Sequence, residues 1–222
     1  MSFKDIIFLK GGMMENLVLG YYRICIWITR FAYVNILWVA FTVLGLFVFG
    51  FMPATAAMFS VLRKWVNRDH EIPIFQTFWE TYKKEFVQAN IFGYLIAIIG
   101  YVLYIDLQFL RAQEGFLFML SYGILILFFA YFIIILYAFP MFVHFKLKLH
   151  HYLKWSFIIG FVHPVMTILM AIGSSVAIYF IYVKLPALAL FFGGSVIAYV
   201  LMWGAAQTFY KVNIKGPDET QV

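Results

Sequence analysis

The stretch Phe116–Pro140, FLFMLSYGILILFFAYFIIILYAFP, runs for 25 residues without one charged side chain. As an α-helix it would rise about 37 Å, more than the roughly 30 Å of hydrocarbon in a bilayer. Four further stretches share this character: Phe31–Phe51, Val87–Ile105, Phe157–Tyr182 and Pro186–Tyr210. The five make up about half of the 222 residues, yet none of the 16 basic or 10 acidic side chains falls inside them, as expected when a central Lys, Arg or Asp costs roughly 2.5–3.5 kcal/mol in lipid. The expected fold is all-α, a single polytopic membrane helix bundle with about five transmembrane helices plus amphipathic interfacial helices.

Composition agrees. Apolar residues make up 65% of the chain and charged residues 12%, against roughly 45–50% and 25% in soluble domains, so too little polar surface exists to cover a water-soluble core. Disorder and collagen are excluded by the same numbers. The single cysteine, Cys25, excludes an intrachain disulfide and a Cys-rich zinc site.

Residues 1–30 carry six charges before the first long apolar run and hold no signal-peptide core followed by a small-residue cleavage site, so no cleaved signal is expected. Leu17 to Ile28 reads as a surface helix leading into the first span, with Tyr21, Tyr22 and Trp27 as headgroup-level anchors. Five alternating crossings leave ten Lys and Arg on the side of the 52–86 loop, the 145–156 loop and the polar tail 211–222, and six on the other. Positive-inside then places the N-terminus outside and the C-terminus inside.

Segment 54–86 is the most informative polar region. From Ala54, just after Pro53, positions Met58, Val61, Leu62 and Trp65 share one helical face and Ser60, Arg63 and Lys64 point elsewhere. A second amphipathic helix starts at Pro73, with Phe75, Phe78, Trp79, Tyr82 and Phe86 on one side and a Glu80–Lys84 pair at i,i+4 spacing. The two read as interfacial helices joined by the turn Asn67-Arg68-Asp69-His70-Glu71. They either rest in the headgroups or form a docking platform for a partner.

Candidate chemistry is sparse. His163 is the ionisable residue inside the spans; followed by Pro164, which frees a carbonyl one turn earlier, it reads as a hydrogen-bond partner for that carbonyl rather than a proton relay. Asn35, in the first span, belongs with Ser121, Ser174, Ser175, Gln207 and Thr208 as polar groups for interhelical hydrogen bonds. No span contains Asp or Glu, which counts against a cation-coupled carrier. His144, His150 and His151 lie among Lys146, Lys148 and Lys154, a basic patch suited to anionic lipid rather than a bound cation. No nucleotide, dinucleotide, zinc-protease or serine-hydrolase motif is present and the basic residues form no nucleic-acid stripe. No catalytic, cofactor-binding or metal residue is therefore assigned. Small residues at four-residue spacing (Gly173/Ala177, Ala171/Ser175, Ala189/Gly193, Gly194/Ala198) allow close helix approach, inside this chain or in a homo-oligomer.

The run from Phe49 to Val66, FGFMPATAAMFSVLRKWV, after the Asn-containing span Asn35-Ile36-Leu37-Trp38, resembles the YesL-like family of small bacterial membrane proteins, as does Phe78 to Phe86, FWETYKKEF. The likeness covers nearly the whole chain in layout; Met52 stands where the family usually has glycine. The resemblance implies a cytoplasmic-membrane protein of Gram-positive bacteria, often encoded beside carbohydrate ABC-importer and glycan-degradation genes. It implies no biochemical activity, so no catalytic residue carries over. On this reading Pro53 ends or bends the first span, the small surface of Ala54, Thr55, Ala56 and Ala57 lets a neighbouring helix approach, and Arg63, Lys64 and Arg68 sit at the headgroups. With Trp65, Phe78, Trp79 and Tyr82 these residues form the candidate docking surface for a membrane partner.

Three functions follow from different classes. The leading one is a non-enzymatic accessory protein, with permease subunits of a carbohydrate ABC importer as partners by resemblance only. The second is a small oligomeric channel or carrier for a neutral solute, which needs a continuous polar cavity. The third, membrane-face lipid or glycan chemistry, needs carboxylates such as Glu80, Glu85 or Asp69 around one cleft.

Overall fold

A computed structural model describes residues 3–209, with side chains from residue 20 onward; the polar tail 211–222 lies outside the described residues. Those residues form an all-helical bundle: α1 (Phe3–Leu44), α2 (Val48–Val66), α3 (Ile74–Lys84), α4 (Phe86–Arg111), α5 (Phe116–His144), α6 (Leu149–Val162), α7 (Pro164–Ile178, continued by a π-helical turn Tyr179–Lys184), α8 (Ala189–Phe192) and α9 (Ser195–Phe209). Four segments are long and apolar enough to cross a membrane, Gly20–Leu44, Phe86–Arg111, Phe116–His144 and Pro164–Lys184. The pair Pro186–Phe192 and Ser195–Phe209, bent by 58°, reaches the same length and apolarity only when its two helices are taken together, as a broken span or a re-entrant loop.

The first span differs from expectation at both ends. It begins near Gly20 inside one continuous helix rather than at Phe31 after a separate surface helix, and it stops at Leu44 rather than Phe51. The stop is a Schellman motif: Phe47 N–H donates to the Thr42 carbonyl and Leu46 N–H to the Val43 carbonyl, each at 2.9 Å, with Leu46 left-handed at φ 56°. Gly45 and Gly50 let the two backbones nearly touch, leaving no room for a Cβ on either. The chain reverses within Gly45–Phe47 without one polar side chain to mark the turn.

Having reversed, α2 returns along α1. Trp38 Nε1 donates to Thr55 Oγ1 at 3.0 Å, and Trp27 meets Trp65 edge-on with centroids 5.5 Å apart. The expected interfacial helix over 54–66 is therefore the centre of the bundle. Every residue from Pro53 to Leu62 is buried, under α1, α3, α4, α5 and α9, because this helix is apolar all round and built from small residues that admit neighbours on every side. Pro53 sits inside α2 rather than ending a span.

The second amphipathic helix is present as expected, with Pro73 as its N-cap residue, but its aromatic face meets protein. Phe75, Phe78, Trp79 and Tyr82 surround the Phe41 ring of α1 at centroid distances of 5.0–6.4 Å. From α3 the chain rises through α4 and comes back down α5; Tyr131 Oη donates to the Ile96 carbonyl at 3.0 Å, and Phe92 stacks on Phe142 at 5.3 Å.

The expected span Phe157–Tyr182 is broken at His163, between α6 and α7. The last expected span is broken at Gly193–Gly194. There Gly193 lies against Tyr182, while Gly194 lies against Asn35, Trp38 and Met58; Gly173 packs on Val200 of α9. The small residues thus serve packing within the chain at these positions. Phe31 meets Tyr199 at 5.2 Å, so α9 descends antiparallel to α1.

One end of the bundle accordingly carries Trp27, the end of α2, the α5–α6 connection and Phe209 of α9, and the opposite end carries the 112–115 turn and Leu185; the α1–α2 turn lies between the two, against Asn90 and Tyr94 of α4. Because α2 turns back, Trp27 of α1 and Phe209 of α9 lie at one end of the bundle, unlike the alternation of five crossings expected from sequence. Of the twelve Lys and Arg between residues 20 and 209, Arg111 and Lys184 lie towards the second end and the other ten towards the first.

Candidate functional site

The first end holds a polar groove. The last turn of α2 projects Arg63 and Lys64. Arg63 donates to the Val143 carbonyl, one of the four C-terminal carbonyls of α5 that have no partner within their own helix, and its cation also complements the negative end of the α5 dipole. Lys64 Nζ lies 3.3 Å from Thr77 Oγ1, and Thr81 Oγ1 donates to Ser60 Oγ at 3.1 Å, which fixes α3 against α2.

Between these elements lies a cavity of about 320 Å³, lined by Arg63, Lys64, Lys84, Lys146, Glu80 and Glu85 together with hydroxyls and the backbone end of α5. A second cavity of about 390 Å³ shares Lys84, Glu85 and Lys146 and extends the groove to Gln88, Lys148 and Tyr152. Tyr152 holds the floor: its hydroxyl accepts from Leu147 N–H and donates to the Phe145 carbonyl, both at 2.9 Å. Burial pushes its phenol pKa up, the Leu147 amide opposes that, and Glu85 adds to it.

The candidate docking residues separate into two groups. Pro53, Ala54, Thr55, Ala56, Ala57, Trp65, Phe78 and Tyr82 are buried against the chain's own helices, so the proposed Pro-Ala-Thr-Ala-Ala contact surface is used internally. Arg63 and Lys64 reach the groove. Trp79 is 37% exposed on the outside of α3, with Lys83 Nζ 4.8 Å above its ring.

Asn35 is fully buried and serves the break between α8 and α9. Its Oδ1 accepts from the N–H groups of Gly194 and Ser195, each at 2.9 Å, and its Nδ2 donates to the Leu190 carbonyl at 2.8 Å. One side chain thereby caps the start of α9 and satisfies a carbonyl before the break.

His163 does not take the part expected of it. The Gly160 carbonyl, whose donor Pro164 lacks, is filled by Thr167 Oγ1 at 2.8 Å, and His163 Nε2 is buried without a partner among the described residues. A parallel case went unseen in the sequence: Pro53 leaves the Phe49 carbonyl without its helical donor, and Asn90 Nδ2 of α4 supplies one at 3.0 Å. Tyr94 Oη donates to the adjacent Val48 carbonyl at 2.8 Å.

Of the histidines near the groove, His144 packs on Phe145 and Phe209, while the His150 and His151 rings meet tilted at 38° with centroids 4.1 Å apart. Partial burial, then His150, Lys154 and Lys148, hold the His151 pKa below its ordinary value. Among the described residues no three of His, Cys, Asp and Glu come together as metal ligands would.

Fold and site together define a polytopic membrane helix bundle with a basic groove at one end. Residues 31–107 match the family described as "Protein of unknown function, DUF624". The chain is 42% identical over 180 residues to the uncharacterized protein YteU of Bacillus subtilis (strain 168), covering 81% of each. Against YesL of the same organism it is 35% identical over 189 residues, 85% of this chain and 89% of that protein. YesV gives 35% over 191 residues, 86% and 91%. The chain belongs to this YesL-like family of unknown function. No solved structure matches it.

Proposed function

We propose that the protein is a non-enzymatic accessory protein of the bacterial cytoplasmic membrane, acting through contact with another membrane protein. The observation that carries this reading is the way the interrupted helices are closed. Carriers built on broken helices use the freed backbone groups to bind solute, whereas here Asn35, Thr167 and Asn90 occupy those groups at three interruptions. The centre is filled by α2, with Ala54, Ala56, Ala57 and Val61 fully buried, which supports a rigid scaffold over a neutral-solute passage.

The partners to which the family resemblance points are permease subunits of a carbohydrate ABC importer. Tyr101, Phe109, Phe116, Ile126 and Phe129 on the outer faces of α4 and α5 offer apolar surface to lipid or to a partner's helices. The ten-to-two division of basic residues supports an orientation with the groove, the start of α1 and the end of α9 on the cytoplasmic side. Glu80 and Glu85 share the groove, unlike Asp69. Glu80 is exposed and accepts from Gln76 Nε2 one turn earlier at 2.9 Å, the arrangement of a solvated helix face rather than of a poised acid.

Mild-detergent affinity purification from native membranes, compared by mass spectrometry with an unrelated five-span control, tests the reading. Stoichiometric recovery of importer permease subunits supports it. Recovery of the chain alone as a defined homo-oligomer opposes it and makes solute flux the next assay.

A further inference from the structure

The geometry points to a binding site for a phosphate group in the groove between the end of α2, α3 and the α5–α6 connection. Four cations, Arg63 and Lys64 of α2, Lys84 of α3 and Lys146 of the α5–α6 connection, converge there from three elements and face two carboxylates, Glu80 and Glu85, so the lining keeps a net positive charge. Their convergence is built. Arg63 is anchored on the Val143 carbonyl through one of its five donors, Lys64 is placed against Thr77, and the Tyr152 hydroxyl fixes the connection that presents Lys146.

A cavity of about 320 Å³ exceeds the needs of side-chain packing and is at the lower edge of small-ligand sites, roughly 300–1,000 Å³. Its continuation past Lys148 and Gln88 leaves room for the remainder of a headgroup. Hydroxyls of Ser60, Thr77 and Thr81 line the same wall and supply neutral hydrogen-bonding groups beside the cations.

A phosphate at this end of a membrane protein comes from one of two sources, an anionic phospholipid or a soluble phosphate ester, and both present the same dianionic or monoanionic oxygens to the lysines. The carboxylates restrict where it sits. Glu80 is engaged by Gln76 on the outside of α3 and Glu85 stands at the α3–α4 junction, which leaves the Arg63, Lys64 and Lys146 side as the positive pole.

The test uses the full chain in detergent, with native mass spectrometry and thermal unfolding as readouts. The probes are dioleoyl-phosphatidylglycerol, dioleoyl-phosphatidylcholine, glycerol 3-phosphate and inorganic phosphate. The double variant Lys64→Gln with Lys146→Gln removes two cations while leaving Arg63 on its carbonyl; Lys154→Gln, an exposed lysine outside both cavities, is the control. Expected is one retained phosphatidylglycerol per chain in preference to phosphatidylcholine, weakened about tenfold or more in the double variant and unchanged in the control. Competition by glycerol 3-phosphate or phosphate also supports the site and assigns it to a soluble ester; insensitivity to both assigns it to lipid. Equal retention of the two lipids with no effect of the soluble probes, an unaltered double variant, or an equal loss in Lys154→Gln overturns the proposal.

Discussion

The turn between α1 and α2 and the break between α8 and α9 meet the same difficulty by opposite means. Each interrupts a helix inside an apolar bundle, where unsatisfied backbone groups are expensive. At the turn the backbone closes most of the gap itself through the Schellman bonds, and Asn90 and Tyr94 of α4 add donors to the carbonyls of Phe49 and Val48. At the break one residue, Asn35, holds three backbone groups at once. Distributed closure tolerates the loss of any single contact, while concentrated closure makes a single side chain decisive.

The sharpest way to break that comparison is Asn35→Leu. Three backbone groups, one buried and two partly buried, lose their partner together, with an expected loss of roughly 3 kcal/mol, read as a fall in thermal midpoint or in yield of monodisperse protein. A loss no greater than that of Asn90→Leu would erase the contrast.

Asn90→Leu removes one bond at the turn and should cost about 1 kcal/mol. Its dependence on Pro53 sharpens the point. In a Pro53→Ala background an N–H is restored to serve the Phe49 carbonyl, so the same Asn90→Leu change should cost clearly less, a coupling that a double-mutant cycle reads directly.

Smaller effects come from the turn's own geometry and from the groove. Leu46 is left-handed and 76% exposed; Leu46→Gly should stabilise the hairpin by about 0.5–1 kcal/mol. The His151 pKa is lowered in the fold, so its neutral form is the one the folded state prefers. Its contribution is complete above the ordinary histidine pKa and declines as pH falls from there towards the folded value. Thermal unfolding between about pH 7.5 and 5 should show a slight acid destabilisation that His151→Gln flattens.

Hydropathy made the membrane bundle legible, because a long uncharged stretch has few other uses. It could not show α2. Turn signals in water-soluble proteins are polar, and Val43–Phe51 reverses direction with glycine and apolar residues alone, so the run 31–51 reads as one span. The small residues Ala54–Ala57 were visible as a surface for close approach, but sequence does not say which helices approach, and the chain's own fill the place.

Arg63 and Lys64 were legible as site residues, whereas the groove required Lys84, Lys146 and Glu85 from elements brought together only by the fold. Asn90 and Thr167 carry a signal of their own: each proline inside an apolar helix leaves a carbonyl four residues earlier in need of a donor, and a nearby Asn or Thr is the natural candidate. Asn35 is legible in the sequence as a polar group within an apolar run, but its role depends on the break at Gly193–Gly194, which the sequence does not show.

The central claim is that α2 turns back through the bundle and returns the chain to the end where α1 began. Reporters active on only one side of the membrane, fused ahead of α1, within 112–115 and after α9, test it most directly. The account predicts a cytoplasmic signal from the first and last and an outside signal from the middle one. Signals on opposite sides for the fusions ahead of α1 and after α9 would contradict it and restore the five-crossing arrangement.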